Sequence, residues 1–192
     1  MSKLKSISDQ LTGRAAIAAG GLFAACGTVQ IIHSQRGSGE KVEGLAGHLA
    51  LGFFLGGLIL FSPLFLALAR RAIPGRVEKA AVAASAGTML LGLTCISSLV
   101  MGHDGVWFRV IAPVTNAAWL IGAIALAVSL KRAGRVPKIV AFALPVVQVG
   151  VTVLGPLGGG LISAAYALAV GHLLTSGALE TGARPVAEPA RA

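Results

Sequence analysis

Residues 45–69, LAGHLALGFFLGGLILFSPLFLALA, contain no Asp, Glu, Lys or Arg, and His48 is their one titratable side chain. A helix crosses the hydrocarbon core of a bilayer with about 20 mostly apolar residues. A half-buried strand would instead alternate polar and apolar positions. Lipid gives the backbone no hydrogen-bonding partner, so an open stretch of this kind has to be helical. Five further segments share the pattern, at 15–34, 80–101, 106–130, 137–154 and 157–177. The expectation is therefore an all-α, polytopic integral membrane bundle of six transmembrane helices. The fifth and sixth are the shortest, and Gly-Pro-Leu-Gly-Gly-Gly at 155–160 predicts a tight turn between them.

Composition agrees. Of 192 residues, 55% are apolar and only 12% are charged, about half the charged share of a soluble domain. Mean hydropathy is +0.83, which excludes a disordered chain. Cys26 and Cys95 both sit inside apolar runs, so neither a disulfide framework nor a thiolate metal site can be read from them. The net charge of +9 is distributed as a topology signal. The N-terminal segment carries Lys3, Lys5 and Arg14. The second connection carries Arg70, Arg71, Arg76 and Lys79, and the fourth Lys131, Arg132, Arg135 and Lys138. The tail adds Arg184 and Arg191, leaving only Arg36, Lys41 and Arg109 for the other side. Lys and Arg favour the cytoplasmic side, so both termini are expected there, in a multi-pass protein of the cell membrane. The charges are split among short turns without interleaved aromatics, which speaks against a nucleic-acid partner.

Residues 1–14 are expected to form a cytoplasmic amphipathic segment. Leu4, Ile7 and Leu11 share a helical face beside Lys3 and Lys5, a pattern suited to an anionic membrane surface. Ala24-Ala25-Cys26-Gly27 faintly resembles a lipidation site, but the apolar run continues through Ile32 as an uncleaved helix would. The transmembrane domain then occupies 15–177. Residues 178–192, with Pro185 and Pro189, are expected to be a disordered cytoplasmic tail. Small residues one turn apart, among them Gly20/Ala24, Gly52/Gly56, Ala84/Thr88, Ala118/Gly122 and Ala167/Gly171, predict close helix packing. Pro63, Pro113 and Pro145 predict kinks within spans.

The functional expectation comes from the depth of the polar residues. All Asp, Glu, Lys and Arg can be placed outside the hydrocarbon core or at its edge, which disfavours ion-coupled transport and voltage sensing. Polar side chains instead collect in the half of the bundle assigned to the outer leaflet, the charged ones only at its edge. They comprise Gln30 and His33 on the first span, His48 on the second, and Thr94, Ser97 and Ser98 on the third, followed by His103 and Asp104. Arg109 and Asn116 follow on the fourth span, Gln148 and Thr152 on the fifth, and Tyr166 on the sixth. Buried polar groups require partners, so these residues predict a pocket opening outward for a largely apolar ligand such as an isoprenoid, quinone or other lipid.

In that pocket His48 or His103 is the candidate general acid or base, with Asp104 setting the tautomer. The candidate ligand-binding residues are His33, Asn116, Gln148 and Tyr166. Isomerisation or cyclisation suits a site with no charged cofactor grip. Three imidazoles also have the donor chemistry for Zn²⁺ or Cu²⁺, yet no HExxH or paired i, i+4 histidines occur. No metal or cofactor is assigned. A permease or resistance factor with Gly and Pro hinges is the alternative, as is an accessory subunit of a larger membrane complex. The expected partners are the bilayer, a hydrophobic small molecule, and further copies or subunits.

Overall fold

The computed structural model describes residues 2–35, 44–72, 76–101, 105–106 and 108–179, and every regular element among them is helical. In chain order these are α1 (Ser2–Gln35), α2 (Gly44–Phe61), α3 (Pro63–Ala69), α4 (Arg76–Met101), α5 (Phe108–Ala133), α6 (Lys138–Val153) and α7 (Gly160–Thr175). Four stretches are long and apolar enough to cross a membrane: Ser8–Gln35, Gly44–Ala69, Val77–Met101 and Phe108–Ala133. Their outward faces remain greasy. Val100, Val106 and Ile139 are each more than three-quarters exposed, an arrangement that suits lipid and not water.

α6 and α7 have 16 residues each, about 24 Å of helix, against a hydrocarbon core of about 30 Å. Their ends are set by local chemistry. Pro137 precedes α6 in an extended conformation, and after α6 the chain turns through a short 3₁₀ segment, Gly155–Leu157. Gly158 adopts φ 88°, a left-handed conformation that glycine accepts without strain. A Cβ on Gly159 would collide with the Gly150 carbonyl oxygen. The expected turn at 155–160 is thus present, with helix ends one to three residues inside the expected spans.

The helices close a ring: α1 packs on α2, α2 on α4, α4 on α5, α5 on α6, α6 on α7, and α7 on α1. The α1–α7 seam is built on glycine. Gly13, Gly20 and Gly27 recur every seven residues and so lie on one face of α1. A Cβ on Gly13 would lie 2.9 Å from Gly171 O, on Gly20 3.2 Å from Ala164 O, and on Gly27 2.9 Å from Leu161 N. These contacts run the two helices antiparallel and bring the start of α1 beside the end of α7. The α4–α5 seam is equally close. Gly122 would put a Cβ 2.7 Å from that of Ala84, and Gly87 would put one 3.3 Å from that of Ala118. The small-residue pairs expected on these two spans therefore face each other.

Inside the ring, aromatic rings from five helices meet. Phe61 at the end of α2 contacts Phe23 of α1, Phe65 of α3, Trp119 of α5 and Tyr166 of α7, with centroids 5.4–6.4 Å apart. Ser62 and Pro63 divide the second span. The Ser62 hydroxyl donates to Ile59 O at 2.9 Å, and α3 then packs on α1, α4 and α5, with Leu64, Phe65 and Leu68 fully buried. Just beyond α3, Arg71 Nη2 donates to Asp9 Oδ2 at 2.7 Å and Nη1 to Ala67 O at 2.9 Å. Arg70 donates to Ser8 Oγ at 2.8 Å and lies 3.7 Å from Asp9 Oδ1. The N-terminal residues expected to be amphipathic run into the first span as one helix, α1, and this ion pair joins it to the end of α3.

Cβ atoms introduced at backbone-to-backbone contacts force the helices apart, at a typical cost of about 1–3 kcal/mol. Gly27→Ala and Gly122→Ala should each lower the thermal unfolding midpoint of the purified protein in detergent. Gly21→Ala, with nothing within 4 Å of its added Cβ, should leave the midpoint unchanged or raise it. A loss at Gly21 equal to that at Gly27 would contradict the seam.

Candidate functional site

On α2, residues 47, 50, 51 and 54 follow i, i+3, i+4, i+7 spacing and share one face. Gly47 and Ala50 are small enough to leave a recess there. Gly47, Ala50, Leu51 and Phe54, with Gln30 of α1, line a laterally open cleft of about 220 Å³. Among the described residues the walls are apolar except for Gln30. Its Oε1 is buried and has no hydrogen-bond partner among the described residues. A buried amide oxygen left unpaired costs about 1–3 kcal/mol, and this one is covered by its neighbours and not open to the cleft.

Two of the expected site residues flank this cleft in sequence. His33 follows Gln30 by one turn of α1 and is half-buried. His48 follows Gly47, is exposed, and its Nδ1 lies 2.8 Å from the Gly44 carbonyl oxygen. A carbonyl only accepts, so Nδ1 carries the proton in this contact and the neutral ring keeps Nε2 as an acceptor. His103 and Asp104 lie outside the described residues.

A second group forms between α5 and α6. Asn116 is half-buried, and its Nδ2 donates to Ala112 O at 2.8 Å. Its Oδ1 accepts from Gln148 Nε2 at 2.6 Å. Gln148 is 2% exposed, and its Oε1 has no partner among the described residues. The two residues thus meet, as a shared site requires. Tyr166 does not join them. Its hydroxyl donates to Val140 O at 3.1 Å, about 12 Å along α6 from Gln148 at 1.5 Å per residue, and its ring belongs to the aromatic centre beside Phe61.

Sequence reading placed Gln30 near the outer end of the first span without making it a candidate. Its signal was a lone amide in an apolar helix opposite two small residues of the next. Among the described residues, no three His, Cys, Asp or Glu side chains are grouped to hold a metal ion. No protein-family model matches the chain, and neither a curated protein nor a solved structure is detectably similar to it. The site is therefore read from its own chemistry.

The Asn116–Gln148 bond joins two helices inside an apolar bundle, where such bonds contribute about 0.6–2 kcal/mol. Asn116→Leu should destabilise the protein because Gln148 Nε2 then loses its acceptor. Adding Gln148→Leu should recover much of that loss. A double-mutant cycle on unfolding in detergent should return a coupling within this range, and zero coupling would show that the pair contributes nothing.

Proposed function

We propose that the chain is a multi-pass protein of the cell membrane, with six spans and both termini cytoplasmic, that holds a lipid-type small molecule in the cleft between α1 and α2. The cleft, lined among the described residues by Gly47, Ala50, Leu51 and Phe54 with Gln30 beside them, is the observation that carries this reading. Ligand sites are concave and mostly apolar, with a few polar groups fixing orientation. The flanking helices carry exposed Ile32, Leu45 and Leu49, which give a ligand arriving through the bilayer an apolar approach.

The cleft lies toward the ends of α1 and α2 that are remote from Arg70, Arg71 and Asp9. With the basic end facing the cytoplasm, it opens toward the outer leaflet. The short α6 and α7 cross in this arrangement by local thinning of the bilayer around them. The aromatic cluster on the bundle axis gives a permease reading no open path to rest on. Acid–base chemistry would draw on His48 through Nε2, together with His103 and Asp104. Isomerisation or cyclisation of a bound isoprenoid is the reaction class that needs only such groups.

Mass spectrometry of organic extracts tests the binding. The purified protein should retain an apolar compound that Ala50→Phe, which fills the cleft, reduces at least five-fold at equal monodisperse yield. Equal retention by the variant would refute the site. Topology has its own check: a fluorescent reporter active only in the cytoplasm should be bright when fused after Ala192, and a dark fusion would reverse the orientation.

A further inference from the structure

We propose that the corner between α5 and α6 binds an anionic phospholipid, with its phosphate among Lys131, Arg132, Arg135 and Lys138 and a chain along the outer face of α6. The corner lies at the opposite end of the bundle from the cleft and is independent of what the cleft holds. Its charge is uncompensated among the described residues. Residues 105–179 contain no Asp or Glu, and the described ion pairs are the two that Asp9 makes with Arg70 and Arg71. Glu78, in the first turn of the neighbouring α4, forms no ion pair with the corner. All four cations are exposed. Like charges set this close along the chain repel, and an anion among them relieves the repulsion.

The backbone that carries these cations is fixed. Gly134 adopts φ 66°, and its N–H donates to Leu130 O at 3.1 Å to close α5. Val136 is buried in the core, and Pro137 then enters α6 in an extended conformation. Lys138 opens α6, where the helix dipole disfavours a cation, and the first turn holds no acidic residue to offset it. Topology asks only for positive charge on this side of the membrane. A cation at that particular position becomes favourable once an anion sits beside it.

The surface beside the corner identifies the occupant. Lys131 Nζ lies 5.1 Å from the centroid of the Phe142 ring, within reach of a cation–π attraction, and an ammonium so placed keeps donors for a phosphate. Phe142 stands one turn into α6. With Ile139, Val146 and Val153 it follows i, i+3, i+7, i+14 spacing on one face, and each of the four is more than half exposed. The cations therefore meet the top of an apolar stripe that runs the length of the helix. Inorganic phosphate or an acidic protein would match the charge and leave the stripe unused. A phospholipid of the surrounding bilayer matches both, and basic groups between spans hold anionic headgroups in this way.

Native mass spectrometry of the full-length protein tests this, after equal amounts of phosphatidylglycerol and phosphatidylcholine with the same chains are added in mild detergent. Phosphatidylglycerol adducts should exceed those of phosphatidylcholine by at least about five-fold. Arg135→Gln combined with Lys138→Gln should bring the two lipids to parity. Arg135→Lys combined with Lys138→Arg keeps the charges and should keep the preference, as should Arg109→Gln at the opposite end of α5. Parity in the wild type, or an unchanged ratio in the double Gln variant, would overturn the site. Loss of the preference in Arg109→Gln as well would reduce it to net charge and overturn the corner as its location. Displacement of phosphatidylglycerol by inorganic phosphate alone would overturn the part assigned to the lipid chain.

Discussion

The bundle depends on how closely α1 and α7 approach. In lipid no hydrophobic force drives two apolar helices together, so association rests on dispersion and backbone proximity. Three glycines spaced by seven residues remove the side chains from one face of α1, and Gly160, Ala164 and Gly171 answer them on α7. This seam closes the ring by joining the first and last helices. It also fixes the rotation of α1, which turns Ala16, Ala19, Phe23 and Cys26 inward, all essentially inaccessible. Phe23 then lies against Gly57 of α2 and touches Phe61, so the aromatic centre depends on the same rotation. A bulkier α1 face would move Phe23 and loosen every contact that Phe61 makes.

Much of this architecture is legible in the sequence because a membrane core imposes composition over whole helices. Long runs without charge, such as residues 45–69, need no knowledge of neighbours to be recognised. Helix ends were less legible, since Pro137 and the Gly155–Gly159 turn shorten α6 and α7 by chemistry confined to one or two residues. The α1–α7 seam was missed because small residues one turn apart occur throughout a chain with 26 glycines. The informative spacing was seven, and it acquires meaning only beside its partner on α7. Ala84/Thr88 and Ala118/Gly122 were visible as pairs, whereas their mutual contact was not, because sequence gives a helix its faces without saying which helix each one meets.

The candidate site divides along similar lines. Asn116 and Gln148 were identifiable as amides too deep for an interface, and a pair of such groups on neighbouring helices finds itself by elimination of alternatives. Tyr166 has the same depth signature but binds the Val140 carbonyl, close to Pro145, the residue that deprives the adjacent Ala141 carbonyl of its usual helical N–H partner. A hydroxyl can serve the backbone or a ligand, and sequence does not separate the two. The buried Asp9–Arg71 pair was likewise hidden. Asp9 sits in a stretch resembling a surface helix, and its partner is 62 residues away.

The two ends of the bundle hold their buried polar groups differently, one with an ion pair and the other with uncharged side chains. At the Asp9 end, Arg71 serves both the carboxylate and the Ala67 carbonyl, while Arg70 reaches Ser8 and approaches the second carboxylate oxygen. A buried ion pair of this kind is costly to break, so it acts as an anchor, although Asp9 Oδ1 accepts no hydrogen bond among the described residues. Toward the other end, Gln30, Ser98, Gln148 and Ser163 each hold a buried polar atom with no partner among the described residues. Four helices carry these groups, and apolar surroundings make each one unfavourable as it stands. A bundle selected for stability alone would have replaced them with Leu or Ala. Of the four residues, Gln30 is the one that also lines the cleft between α1 and α2.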